Sequence, residues 1–124
     1  MIETDLEQYL VDNLDPALWV SWDQVNSSIS YEDGNISVSF FKLPSGSSNT
    51  TPSYLDQFQI TVRGLYLDAV QSQANSIIKL FHLWFGVIGS YRVAVDDIAN
   101  LGQVREETNL VSVVLQLGLK YTGL

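Results

Sequence analysis

Tyr54-Leu55-Asp56-Gln57-Phe58-Gln59-Ile60-Thr61-Val62-Arg63-Gly64 opens the stretch on which the fold turns, because two periodicities meet at its end. Phe58, Ile60 and Val62 alternate with Gln57, Gln59, Thr61 and Arg63, the two-residue period of a half-buried strand. Gly64 breaks that strand. Beyond it Ala69, Val70, Ala74, Ile77, Ile78, Phe81 and Phe85 fall on one stripe at helical spacing, with Asp68, Gln71, Gln73, Asn75 and Lys79 mostly off it. The spacing predicts a strand over 54–65 and the longest helix over roughly 66–85, stopped by Gly86 and Gly89.

Upstream, Thr4 and Glu7 form a capping-box pattern, and Leu6, Tyr9, Leu10 and Leu14 recur at helical spacing. A short amphipathic helix is expected there, ending between Asn13 and Pro16 because the residue before proline disfavours helix. Ala17 to Trp22 is apolar and suits either a strand or an irregular packed segment. Glu32-Asp33-Gly34-Asn35 is a turn signal, and Ile36 to Phe40 alternates as a strand. Pro44-Ser45-Gly46-Ser47-Ser48-Asn49-Thr50-Thr51-Pro52-Ser53 has nothing to pack into a core, so a flexible loop over 44–53 is expected, of a length usually tied to function. Arg92 to Val95 reads as a short strand and Asp96 to Glu107 as a turn with little pattern. Val111, Val113, Leu115, Leu117, Leu119 and Tyr121 alternate with Ser112, Val114, Gln116, Gly118 and Lys120, a long strand with one strongly apolar face.

Strands in pairs around one main helix point to an α+β fold. The expectation is a single domain over 1–124 with an antiparallel or mixed sheet, and one long and one short N-terminal helix packed on one face.

Hydrophobic residues make up 46% of the 124 and charged residues 16%, too apolar for disorder; the low charge fits either surface covered by neighbours or simply a well-packed small domain. Net charge is −8, and the six cations, Lys42, Arg63, Lys79, Arg92, Arg105 and Lys120, are scattered singly. Gripping nucleic acid needs cations converging on phosphates, so DNA binding is not expected, and an acidic wall would repel DNA. The absence of cysteine excludes disulfides and thiolate zinc sites. The acidic start lacks the basic and apolar regions of a signal peptide, and Ile77 to Ile88 is too short to span a bilayer. A cytosolic chain without membrane contact is therefore expected.

Chemistry-bearing patterns are sparse. His82 is the only histidine, within Phe81-His82-Leu83-Trp84-Phe85, and reads as a packed or helix-capping residue rather than a member of a triad or metal site. Asp96-Asp97 and Glu106-Glu107 are adjacent carboxylates that point opposite ways on an extended chain, so neither forms a ready acid–base dyad. No phosphate-binding glycine loop, nucleophile elbow or dinucleotide fingerprint is present. Neither an enzymatic role nor a cofactor is expected. Arg63 ends its strand on the polar face and leaves two readings open. It could be a sheet-surface arginine facing water, or a planar fork paired with a carboxylate of a neighbouring subunit.

Gln59-Ile60-Thr61-Val62-Arg63-Gly64, followed at once by a helix with Ala69, Ala74 and Ile77, resembles the tail terminator and minor tail proteins of long-tailed bacteriophages. The order of the remaining elements agrees across most of the chain. Where such proteins often have a proline-rich turn after the first helix, this chain has Trp19 and Trp22, which leaves the branch open among tail terminator, neck and tail-completion proteins. The resemblance implies a homo-hexameric ring at the head-proximal end of the virion tail, assembled in the host cytoplasm. That ring would end growth of the tail tube protein and meet the head connector or stopper protein, with DNA passing through its channel unbound. It makes the loop Pro44 to Ser53 a candidate for ordering when a partner ring docks, so that Pro44 to Thr51, together with the Arg63 of the subunit-contact reading, are the candidate interface residues. A different class of reading also stands: a small intracellular ligand-binding or adaptor domain, with Trp19, Trp22 and Trp84 lining a pocket.

Overall fold

The last strand of the chain sits in the middle of the sheet. In the computed structural model, which describes residues 1–22, 29–43, 54–106 and 109–124, the elements are α1 (Ile2–Asn13), β1 (Trp19–Trp22), a 3-10 turn η1 (Tyr31–Asp33), β2 (Ser37–Lys42), β3 (Tyr54–Gly64), α2 (Leu67–Phe81), β4 (Phe85–Ile88), β5 (Tyr91–Arg105) and β6 (Val111–Gly123). They build one six-stranded sheet in the order β1-β2-β3-β6-β5-β4. Every neighbouring pair is antiparallel except β1 and β2, which run parallel from Trp19 opposite Ser37 to Trp22 opposite Phe40. The fold is α+β with a mixed sheet and two helices.

The alternation read in β3 and β6 dictates their pairing. Val62 lies opposite Val113, Ile60 opposite Leu115 and Phe58 opposite Leu117, so each buried residue of one strand meets a buried residue of the other. Val38 and Phe40 of β2 extend this face, and Phe40 meets Phe58 edge-on with ring centroids 6.2 Å apart. Val70, Ala74, Ile77 and Phe81 of α2 and Ile2, Leu6 and Leu10 of α1 complete one contiguous core. Each fully buried Leu, Ile or Phe there contributes about 1.5 to 3 kcal/mol.

Helix α1 packs on both β1 and β4, the two edges of the strand order, so the sheet is curled and α1 closes the gap. Tyr9 stacks obliquely on Phe81 and Trp84, with centroids 5.9 and 5.3 Å apart. The capping box expected at Thr4 and Glu7 does not form: the helix starts at Ile2, and the Thr4 hydroxyl donates to the Met1 carbonyl at 2.9 Å. Its end is as read, with Leu14 already extended.

Two segments differ from the sequence reading. The second helix stops at Phe81 rather than near Phe85, because His82 is extended and Leu83 adopts φ 52°, a left-handed conformation that turns the chain back. It is thus only slightly longer than α1, 15 residues against 12, and Phe85 leaves the helical stripe for an exposed position on β4. Of the segment read as a short strand over 92–95 and a turn over 96–107, residues 92–105 instead belong to the 15-residue strand β5, Glu106 follows it, and Glu107 lies outside the described residues. Bulges between Val95 and Asp97 and between Asn100 and Gly102 shift the pairing of β5 with β6, which scrambles any two-residue pattern. Beyond Val95 the strand also lacks β4 on its outer side and is mostly exposed, so apolar alternation has nothing to face. The loop expected over 44–53 lies outside the described residues.

Gly89, in the β4–β5 turn, has φ 57° and lies against α1: a Cβ there would come 2.3 Å from the Asp5 carboxyl carbon. Both strain and collision oppose any side chain. Gly89→Ala is expected to lower stability by roughly 1 to 3 kcal/mol, read as a lower urea midpoint at unchanged slope.

Candidate functional site

The outer face of the sheet carries the polar side chains that alternate with the core. At one end of it Arg63 Nε donates to Glu106 Oε2 at 2.6 Å, and Ser112 Oγ donates to the same oxygen at 3.1 Å. Arg63 lies opposite Ser112 on β6, and Glu106 follows β5 at the same end, so three elements converge on one partly buried ion pair. The carboxylate that Arg63 meets therefore belongs to its own chain, an arrangement invisible in sequence because 43 residues separate the pair. Pro44, Ser45, Gly46, Ser47, Ser48, Asn49, Thr50 and Thr51, the other candidate contact residues, lie outside the described residues.

The remaining residues singled out in the sequence do not converge. His82 is exposed at the C-cap of α2, where its backbone N–H donates to the Ile78 carbonyl, so it caps without packing. Asp96 and Asp97 sit at the first β5 bulge rather than in a turn, and both are exposed. Among the described residues no group of three His, Asp or Glu side chains could hold a metal ion. No described helix is long and apolar enough to cross a membrane. Trp22 and Trp84 pack on the core, while Trp19 is 39% exposed. Trp84 lies over Gly86, where a Cβ would fall 2.7 Å from its ring.

On the helix side, Tyr121, Asp56 and Glu3 form a buried polar corner. The Tyr121 hydroxyl donates to Asp56 Oδ2, its ring packs between Tyr54 and Tyr91 with centroids 5.5 and 5.3 Å away, and Lys42 Nζ reaches Glu3 Oε1 at 3.4 Å. Burial pushes the Tyr121 phenol well above its ordinary value of 10.0, helped by the hydrogen bond to Asp56 and the charges of Asp56 and Glu3. A phenol so held keeps its proton at neutral pH and is no nucleophile. This corner anchors β6 to β3 and lies close to the start of α1.

A third feature had no counterpart in the sequence reading. Phe85 and Val87 of β4 lie opposite Ala94 and Arg92 of β5, which lie opposite Lys120 and Thr122 of β6. Opposed residues share a face, so these six form a corner on the outer side of the sheet, around an open depression of about 570 Å³. Phe85 is 80% and Val87 53% exposed, and Leu83 in the preceding turn is 84% exposed. The signal was present in Phe85-Gly86-Val87-Ile88, which alternates, but the helical stripe before it absorbed Phe85. At the opposite end, Ile29, Ser30, Tyr31, Glu32, Leu65 and Leu110 line a cleft of about 310 Å³.

No family model matches this chain, and no curated protein matches it. A solved structure of a protein that carries a serial designation rather than a descriptive name is similar over 99% of this chain and 90% of its own, with 17% identity and a TM-score of 0.58. A likeness at that identity speaks for the fold alone.

Two substitutions test these polar sites. Arg63→Ala is expected to cost about 1 to 2 kcal/mol in urea unfolding, because the hydrogen bond is charge-assisted but partly solvated. The Tyr121 phenol is protonated in the folded state and its folded pKa is raised. Its contribution is therefore complete below the ordinary tyrosine value of 10.0 and declines as pH rises beyond it. Tyr121→Phe should destabilise the protein by roughly 1 to 3 kcal/mol near neutrality and flatten the loss of stability above pH 10, measured by denaturation across alkaline pH.

Proposed function

We propose that this chain is a structural assembly protein, the tail terminator of a long-tailed bacteriophage, acting as a homo-hexameric ring at the head-proximal end of the tail. The observation that carries the assembly part of the reading is the outward corner at β4, where Leu83, Phe85 and Val87 stand in solvent beside Arg92 and Lys120. Burying a phenylalanine and a valine would each gain about 1.5 to 3 kcal/mol, so an isolated copy leaves that stabilisation unused. The chain spends a left-handed leucine at position 83 on the turn that leads into this strand. Both facts favour a surface meant to be covered by protein.

The terminator identity adds the likeness of Gln59 to Gly64 and the following helix to tail terminator proteins, and the agreement in element order. The mechanism is binding. Subunits meet around the ring, one ring face stops the tail tube and the other meets the head connector. With −8 net charge the channel wall repels DNA that passes through it.

The rival reading, a ligand-binding domain, has the volume of the outer depression in its favour, since small-molecule sites have similar volumes. Ligand sites are concave and enclose their aromatic walls, whereas Phe85 protrudes and the tryptophans line neither depression described above. Protein contact fits that exposure better.

Light scattering at several concentrations, with negative-stain imaging in the presence and absence of tail tube, tests the proposal. Rings of six subunits, alone or capping tube ends, are expected. A monomer that joins neither copies of itself nor tube would overturn it.

A further inference from the structure

Two surfaces of the chain each carry apolar side chains and are opposite in charge. At the corner, the exposed Phe85 and Val87 stand beside Arg92 and Lys120, two of the six cations of the chain, and no carboxylate lines the site among the described residues. At the cleft, the apolar Ile29, Leu65 and Leu110 line the site together with the exposed Glu32, Asp33 is next to it in the chain, and no cation lines the site among the described residues. One is an exposed apolar corner flanked by positive charge, the other a partly apolar cleft flanked by negative charge.

Their positions matter as much as their chemistry. The cleft lies beside Gly64 and Val111, where β3 ends and β6 begins, and the corner lies at Lys120 to Thr122, where β6 ends. Eleven residue steps along β6 from Val111 to Thr122 separate them by about 35 Å, too far for the corner to reach the cleft of its own chain. A second copy can supply the cleft.

We infer that the Phe85–Val87 corner of one copy docks into the Glu32–Leu65–Leu110 cleft of the next. The inference rests on the assembly reading above and deepens it by assigning the subunit contact. Phe85 packs on the apolar residues of the cleft, and Arg92 and Lys120 face Glu32 and Asp33. Because the two surfaces differ and sit at opposite ends of the sheet, the contact is head to tail. Such a contact repeats around an axis until it closes or runs on as a filament, whereas a two-fold dimer would pair like with like. Opposite charge selects this pairing and disfavours corner against corner, where four cations would meet.

The absence of cysteine makes the contact directly readable. Val87→Cys and Glu32→Cys alter two exposed positions, so both variants should fold as the parent does, checked by circular dichroism. Mixed and oxidised, they are expected to form a disulfide-linked dimer across the two variants, and the double variant a ladder of higher multimers. Glu32→Arg should weaken self-association by about tenfold or more, and mixing it with Arg92→Glu should restore association at that joint. If copies associate by light scattering but the cross-variant dimer is absent, or Glu32→Arg changes nothing, the assigned contact is wrong while the assembly reading stands. If copies associate neither alone nor with tail tube, both fall together.

Discussion

The inward face of β6 is the surface against which the rest of the chain is placed. Val113, Leu115, Leu117 and Leu119 are buried along it, flanked by β3 on one side and β5 on the other, with α2 above. Truncating any of these leucines to alanine would open a cavity in the middle of the core, at a cost of about 2 to 5 kcal/mol. Because β6 comes last in the chain, the central pairing of β3 with β6 joins residues far apart in sequence. The whole of α2, β4 and β5 is inserted between the two. Long-range pairing of this kind is slow to form and places the strand edges of the incomplete sheet in solvent until β6 arrives.

The second constraint is curvature. A flat six-stranded sheet would hold β1 and β4 apart, yet α1 touches both. Three contacts fasten it: Leu6 and Leu10 in the core, the Tyr9–Trp84 ring pair, and Asp5 against Gly89, where the absence of a Cβ lets the turn approach. Near its N-terminus Glu3 is buried and reaches Lys42 at the end of β2, close to the Asp56–Tyr121 pair. The helix-side face thus ends in a buried polar corner in which each acid has a partner, and the outer face is left free for contacts.

That outer face has three zones: the Arg63–Glu106–Ser112 pair beside the acidic cleft, a middle of glutamines in which Gln116 donates to Gln57 at 3.2 Å, and the apolar corner at β4. The ion pair joins β3 to the segment after β5 within one chain and shapes the cleft end. The corner is different in kind. Its exposed apolar residues lie on a strand of four residues at the sheet edge, held by β5 and by Trp84 lying over Gly86. A rigid, exposed apolar edge invites association, and surrounding it with cations in an otherwise acidic chain restricts which surface can answer.

The sequence by itself determined the elements whose environment is uniform along their length: β3 and β6, whose alternation faces one core, the body of α2 from Val70 to Phe81, and the α+β class. It also excluded thiolate metal chemistry and made phosphate gripping improbable on charge alone. Only the tertiary structure decided the rest. The end of α2 depends on Leu83 taking a left-handed conformation that leucine rarely adopts, so periodicity alone carried the helix on to Phe85. The length of β5 is hidden by two bulges and an unpaired outer edge, which erase the pattern a strand leaves in sequence. The partner of Arg63 lies 43 residues away, and the apolar corner and the cleft are each assembled from separate elements. Local periodicity reports which side of an element is buried; which surfaces remain exposed together is settled only when strands distant in sequence pair.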